Sequence, residues 1–287
     1  MIEILKLEFF RNAIIGGILA SIACGIIGSY IVSKRIVFIT GGISHACFGG
    51  IGIGYFLGIN PLIGALLFGI FSSFLIGTAS LKAKEKEDTI IGVLWAFGMS
   101  LGILFISISK KYAPDLLSYL FGSILTITNT DIKLMIFLDL IILISVFVFY
   151  KEFLAISFDE EFSKIRGVNV EFFYLFLLFL VSLTIVLLLR IVGIILVISL
   201  LTIPPAIISQ FFHKLNRIMI FSTFTIIFFI TSGLFISYFL NIPSGATIIL
   251  FASFFYLISL LISSSKSEIF ANFLFKKKKN IKMRKID

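Results

Sequence analysis

Long uninterrupted apolar runs, separated by short clusters of charge, dominate the chain. Nine such runs lie near residues 10–33, 36–58, 61–80, 89–108, 134–153, 171–189, 191–210, 217–240 and 245–264. Each is close to the roughly 20 residues that a helix needs to cross a hydrocarbon core about 30 Å thick. The runs are continuous rather than alternating, so they predict helices and not the strands of a membrane barrel. A tenth stretch, 114–130, holds Gly122 and many hydroxyl side chains and reads as a half-helix or surface segment. The expected fold is all-α: a polytopic transmembrane helical bundle over residues 1–265, followed by a basic tail at 266–287.

Small residues recur at every fourth position in the early runs. Gly16, Ala20, Cys24 and Gly28 form one set; Gly42, Ala46, Gly50, Gly54 and Gly58 form another. Ala65, Gly69, Ser73 and Gly77 follow in the third run, and Gly92, Ala96 and Ser100 in the fourth. That spacing lines one helix face and lets backbones approach closely. It predicts a tight inner layer from the first four helices, with the later Phe- and Ile-rich helices at the rim or facing lipid. Pro61 suits a first helical turn, and Asp88-Thr89 suits a helix start. Pro204-Pro205 should kink or break the 191–210 helix, either for packing or where backbone lines a cavity.

Composition agrees: 59% of the 287 residues are hydrophobic and only 14% charged, with a mean hydropathy of +1.16. The net charge of +9 does not imply nucleic acid, because the basic residues cluster in loops and the tail. Under the positive-inside rule, Lys34-Arg35, Lys82-Lys84-Lys86, Lys164-Arg166, Lys214-Arg217 and Lys276 to Lys279 are cytoplasmic. Nine spans then put the N-terminus outside and the tail inside, with Lys110-Lys111 and Arg190 falling on the outer side. Glu3 and Glu8, without a small-residue cleavage site, mark the first run as a retained segment. Cys24 and Cys47 suggest neither a disulfide framework nor a zinc-knuckle spacing.

The first candidate for chemistry is His45. Ten residues beyond Arg35, at about 1.5 Å per residue, it lies ~15 Å deep, near mid-bilayer. An ionisable group there is costly and marks a pathway or site by default, although a histidine bonded to neighbouring backbone remains open. Imidazole is a common transition-metal ligand. One His holds a metal weakly, as suits an ion that must leave, and a two-fold axis would supply a second His45. Ser44 is adjacent. An intramembrane hydrolase built on Ser44 and His45 is the alternative from another class, but neighbours on a helix diverge. No Gly-x-x-x-x-Gly-Lys-Ser/Thr phosphate loop, His-Glu-x-x-His or Gly-x-Ser-x-Gly is present. Asp139, Pro204 and Pro205 are path or gate candidates, with an exposed boundary acid as the plainer reading of Asp139. Arg190 reads as a turn or snorkelling residue and His213 as a surface one. Ser157 and Glu160 form a capping-box pattern. Acids at Asp159, Glu160 and Glu161 and bases at Lys164 and Arg166 suit a short helix. Gly167 stops it, and Phe162 and Ile165 share a face fit for a soluble partner.

Four places together resemble the permease subunits of bacterial ABC importers for zinc, manganese and iron. They are Gly-Ile-Ser-His-Ala at 42–46, Glu-Asp-Thr-Ile-Ile-Gly at 87–92, the Asp159–Gly167 loop, and the run from Arg190 through Pro204-Pro205-Ala206. The resemblance implies a multi-pass permease of the bacterial cytoplasmic membrane that is not itself an enzyme. It implies a second copy of the chain, cytoplasmic ATP-binding subunits docked on the 159–167 coupling helix, and an extracytoplasmic metal-binding protein. A divalent metal would be the transported substrate, with no cofactor bound by this chain. Many members carry an Asp four residues before the motif His; here that position is Gly41, and Ser163 stands where Ala is usual. Losing a hard oxygen ligand favours zinc over manganese, and a chelated-iron or siderophore permease is the alternative within transport.

Overall fold

The computed structural model describes residues 7–82, 87–109, 122, 124 and 127–283, with side chains at 190–191 and 264–283 left out. Among the described residues the regular structure is helical: α1 (Glu8–Lys34), α2 (Val37–Leu57), α3 (Pro61–Lys82), α4 (Glu87–Ile108), α5 (Asn129–Val148), α6 (Tyr150–Phe158), α7 (Glu160–Ile165), α8 (Val170–Ser209), α9 (Leu215–Leu240) and α10 (Ser244–Met283). Eight helical stretches are long and apolar enough to cross a membrane, or nine if the bent pair α5–α6 is one span. The basic tail continues α10 as helical backbone to Met283. Most of the 114–130 stretch lies outside the described residues; its described Ile124 and Ile127 are buried against the bundle.

The small-residue faces give close helix contacts, but the first four helices do not form one inner layer: α1 packs on α8 and α9 rather than on α2, α4 is largely exposed, and the aliphatic Val170–Leu189 stretch of α8 is among the most buried. α2 is sandwiched between α3 and α4, and Gly50 meets the backbone of Gly64 directly. On the other side, Gly98 of α4 packs on the backbone of His45 and Ala46. Several buried hydroxyls are satisfied within their own helices: Ser21, Ser29, Ser44 and Thr184 each donate to the carbonyl four residues back.

Three elements, α5, α4 and α8, differ from the sequence reading. The span expected at 134–153 starts at Asn129, where Thr128 and Asp131 form a capping box. It breaks at Phe149 with a 74° bend, where Phe149 packs edge-on or tilted against Phe153, Phe173 and Phe176. In α4, described from Glu87 onward, Asp88 is already helical rather than a cap.

The third difference is in α8. Pro204-Pro205 lies within helical backbone, and the break is at Gly193, with φ 73° and ψ 165°, a region open to glycine. Leu175 and Leu178 lie at Gly77 near the inner end of α3, and Ser182 and Val186 lie at Gly69, further out. Leu201 then returns to Gly28, close to Lys34 at the inner end of α1. The chain therefore turns back near Gly193, and α8 comprises the two spans Val170–Leu189 and Val192–Ser209. A proline at 205 cannot donate to the Leu201 carbonyl. Gly28 of α1 approaches that oxygen so closely that a Cβ would collide with it, so α1 packs directly on the carbonyl that the proline leaves free of its helical donor.

Candidate functional site

His45 is half-buried on α2, and its ring stacks on Trp95 of α4 with centroids 3.9 Å apart and planes 14° apart. Its Nδ1 is buried and makes no hydrogen bond, so the bland expectation of a histidine tied to backbone through Nδ1 is not met. Trp95, the chain's single tryptophan, is 40% exposed. Gly41, one turn before His45, lies under the same indole: a Cβ there would sit 3.2 Å from Trp95 Cζ3. The place where the resemblance leads one to expect a carboxylate is thus filled by an aromatic edge. Sequence reasoning missed Trp95, because a tryptophan inside an apolar run carries no periodic signal. Only its register with Gly41 and His45 across the α2–α4 contact identifies it.

The other candidates do not converge on His45. Ser44 is fully buried, and its hydroxyl donates to the Thr40 carbonyl at 2.7 Å. Asp139 sits in the middle of α5 rather than at a boundary; it is 3% exposed, and neither carboxylate oxygen has a partner. α5 packs mainly on α1, and Asp139 lies within electrostatic reach of the buried Cys24 there. Pro205 faces α1 at Gly28, and Pro204 is buried beside it in the same helix. His213 is exposed beside Lys214, as expected, and the side chain of Arg190 is outside the described residues. Among the described residues no group of three or more His, Cys, Asp or Glu could hold a metal ion.

At the inner end, α7 forms as a short helix, with one correction to its cap. Asp159, not Ser157, accepts from the Phe162 N–H at 2.9 Å, while Ser157 donates to the Phe153 carbonyl. Glu160 and Glu161 occupy the first turn, and Gly167 with φ 81° ends the segment. Ser163 is buried and donates to the Asp159 carbonyl at 2.6 Å. Phe162 and Ile165 are 50% and 84% exposed, and Arg166 lies over the Phe162 ring.

Beside α7 lies a polar cluster. Lys34, 6% exposed, pairs with Glu160 Oε1 at 2.5 Å and donates to the Ile156 carbonyl at 2.9 Å. It also lies over the Tyr174 ring. The Tyr174 hydroxyl donates to Ser80 Oγ at 3.2 Å, and Ser80 donates to Glu87 Oε2 at 2.8 Å. Three of the four places that carried the sequence resemblance meet here or are joined to it by a single helix.

An uncharacterized membrane protein of Synechocystis is 46% identical over 91% of this chain and 92% of its own length. The manganese transport system membrane protein MntC of Listeria innocua is 36% identical over 97% of both chains. The solved structure of PsaBC from Streptococcus pneumoniae in complex with Fab superposes with a TM-score of 0.81 at 32% identity, covering 90% of this chain and 93% of that one. The profile of the ABC 3 transport family matches residues 6–263. With nine-tenths of its length inside that match and its helices arranged as in the solved relative, the chain belongs to the ABC 3 transport family.

Proposed function

We propose that this chain is the permease of a zinc importer, working as a two-fold pair and driven by separate ATPase subunits. Membership of the family makes it a multi-pass transport subunit for metal in the bacterial inner membrane, and not an enzyme. The intramembrane hydrolase alternative therefore falls, and Ser44, committed to its own helix, offers no nucleophile poised beside His45.

The observation that carries the choice of metal is the His45–Trp95–Gly41 arrangement. It offers an imidazole without the carboxylate one turn away. Manganese favours carboxylate and water ligands, whereas zinc accepts imidazole readily. Relatives are named for manganese; Gly41 is the reason to separate this chain from that cargo. His45 gives the ion a transient stop. A second copy would present a second His45, and ATP binding and hydrolysis on partner chains would bias the pair between outward- and inward-open states. An extracytoplasmic binding protein would deliver the ion.

The test is uptake by the assembled transporter in vesicles, with zinc, manganese and ferrous iron in competition. Zinc should be taken up preferentially, and His45→Ala should abolish most uptake while the complex still assembles. Manganese outcompeting zinc would overturn the metal assignment, and undiminished uptake by His45→Ala would remove His45 from the path.

A further inference from the structure

Burying a lysine is costly unless its charge is paired and its donors are satisfied. Lys34 meets both conditions and does so by touching separate elements. It ends α1, reaches the last turn of α6 through the Ile156 carbonyl, holds Glu160 in the first turn of α7, and covers the Tyr174 ring on α8. Tyr174 passes the connection to Ser80 near the end of α3, and Ser80 passes it to Glu87 of α4. The residue after Lys34 is equally constrained. Arg35 adopts a left-handed φ of 62°, and the Ile36 N–H bonds back to the Ile31 carbonyl, so the α1–α2 turn is tightly closed.

Two rigid helices lead from this cluster to the ion site. α2 begins at Val37 and carries His45; α4, described from Glu87 onward, carries Trp95. His45 lies about eight residues, or roughly 12 Å, along α2 from Val37, and Trp95 lies about as far along α4 from Glu87. The stacked pair is thus mounted on two helices that both run from the cluster that Lys34 ties to α7 or pass beside it. The cluster borders a cavity of about 220 Å³ lined also by Arg35, Ile36 and Leu81, which gives the polar groups room to exchange partners.

We propose that Lys34, by clamping Glu160 of α7 to the α1–α2 turn and to Tyr174, is the positioning residue that makes ATPase action on α7 move the His45–Trp95 pair. The proposal rests on the transport reading above, with α7 as the docking helix. Lys34 touches neither metal nor nucleotide; it acts through α7 and the two helices. A two-state pathway needs an element whose equilibrium both sites bias, and a paired buried charge that can be broken in one state is suited to that task.

The test uses the complete transporter in vesicles: permease, its ATPase subunits and its binding protein. Co-purification, basal ATP hydrolysis, zinc-stimulated hydrolysis and zinc uptake are all measured. Lys34→Met should keep co-purification and basal hydrolysis while lowering zinc uptake per ATP hydrolysed by roughly tenfold, and Lys34→Arg, which restores the ion pair, should recover most of it. An unchanged ratio of uptake to hydrolysis in Lys34→Met overturns the proposal. Loss of the ATPase subunits from that variant also overturns it, because it would make Lys34 part of docking. If Lys34→Met does not insert, Tyr174→Leu, which removes the ring under Lys34, decides: a reduced ratio supports the clamp and an unchanged one overturns it. A wild-type complex that hydrolyses ATP and moves no zinc or manganese would instead remove the transport reading beneath the proposal.

Discussion

A side chain added at Gly41 has to displace Trp95, since even a Cβ lies 3.2 Å from the indole. Gly41 and Trp95 therefore behave as one unit in choosing ligands for an ion at His45. Gly41→Asp alone should disturb the stack and lower uptake of every metal. Gly41→Asp combined with Trp95→Ala should restore uptake and shift the manganese-to-zinc ratio upward by roughly tenfold, about 1.4 kcal/mol. Competitive uptake with the two metals measures this, and additive losses in the double variant would mean that the residues do not share a site. The sequence makes His45 conspicuous because depth alone makes an ionisable group expensive. It is silent on Trp95, whose role depends on the register of two helices. It also misplaces Asp139, because α5 starts five residues before the apolar run is read to begin, which moves the acid from a boundary to the helix middle.

At the scale of elements, the small-residue faces separate glycines that a contact requires from those that are merely tolerated. A Cβ on Gly50 would collide with the Gly64 backbone, which cannot rotate away. One on Gly92 meets nothing within 4 Å. Gly50→Ala should therefore destabilise the α2–α3 pair by roughly 2 kcal/mol or more, as overpacking does. Gly92→Ala should be neutral or stabilising by up to about 1 kcal/mol, through lower backbone entropy. Thermal melting of the two purified variants, side by side, checks the contrast. Fourfold spacing in the sequence finds both glycines and ranks neither. Breaks are harder still. Pro204-Pro205 is the strongest local signal against a helix, yet the helix continues through it, with α1 packed at Gly28 on the Leu201 carbonyl. The chain reversal itself is legible, since one apolar run ends at 189 and the next begins at 191 with Arg190 between them; the structure puts the non-helical residue at Gly193. Phe149 breaks α5 from α6 for a non-local reason: its aromatic neighbours come largely from α8.

For the whole molecule, exposure means different things at different depths. Phe137, midway along α5, is 60% exposed, and Phe162 on α7 is 50% exposed. The first sits in a membrane-spanning stretch, where lipid tails cover it at no hydrophobic cost. The second lies at the end marked by Lys34, Lys82 and Lys164, beyond the apolar spans, where water is the solvent. There Phe162 and the 84% exposed Ile165 form an apolar knob on a helix whose own caps are already satisfied. A pair of apolar side chains held out from a short, well-capped helix is suited to fill a pocket on a soluble protein. The ATPase subunits inferred from family membership are such a protein. Phe162→Ala with Ile165→Ala should thus cut recovery of the ATPase subunits from solubilised membranes, equivalent to roughly 2 kcal/mol or about 30-fold in affinity. Phe137→Ala, which removes an aromatic ring at least as exposed as that of Phe162, should leave recovery unchanged. The comparison isolates position from composition: if both variants retain the partner equally, α7 is not the docking element, and the Lys34 cluster behind it would serve only to close the inner end of the bundle.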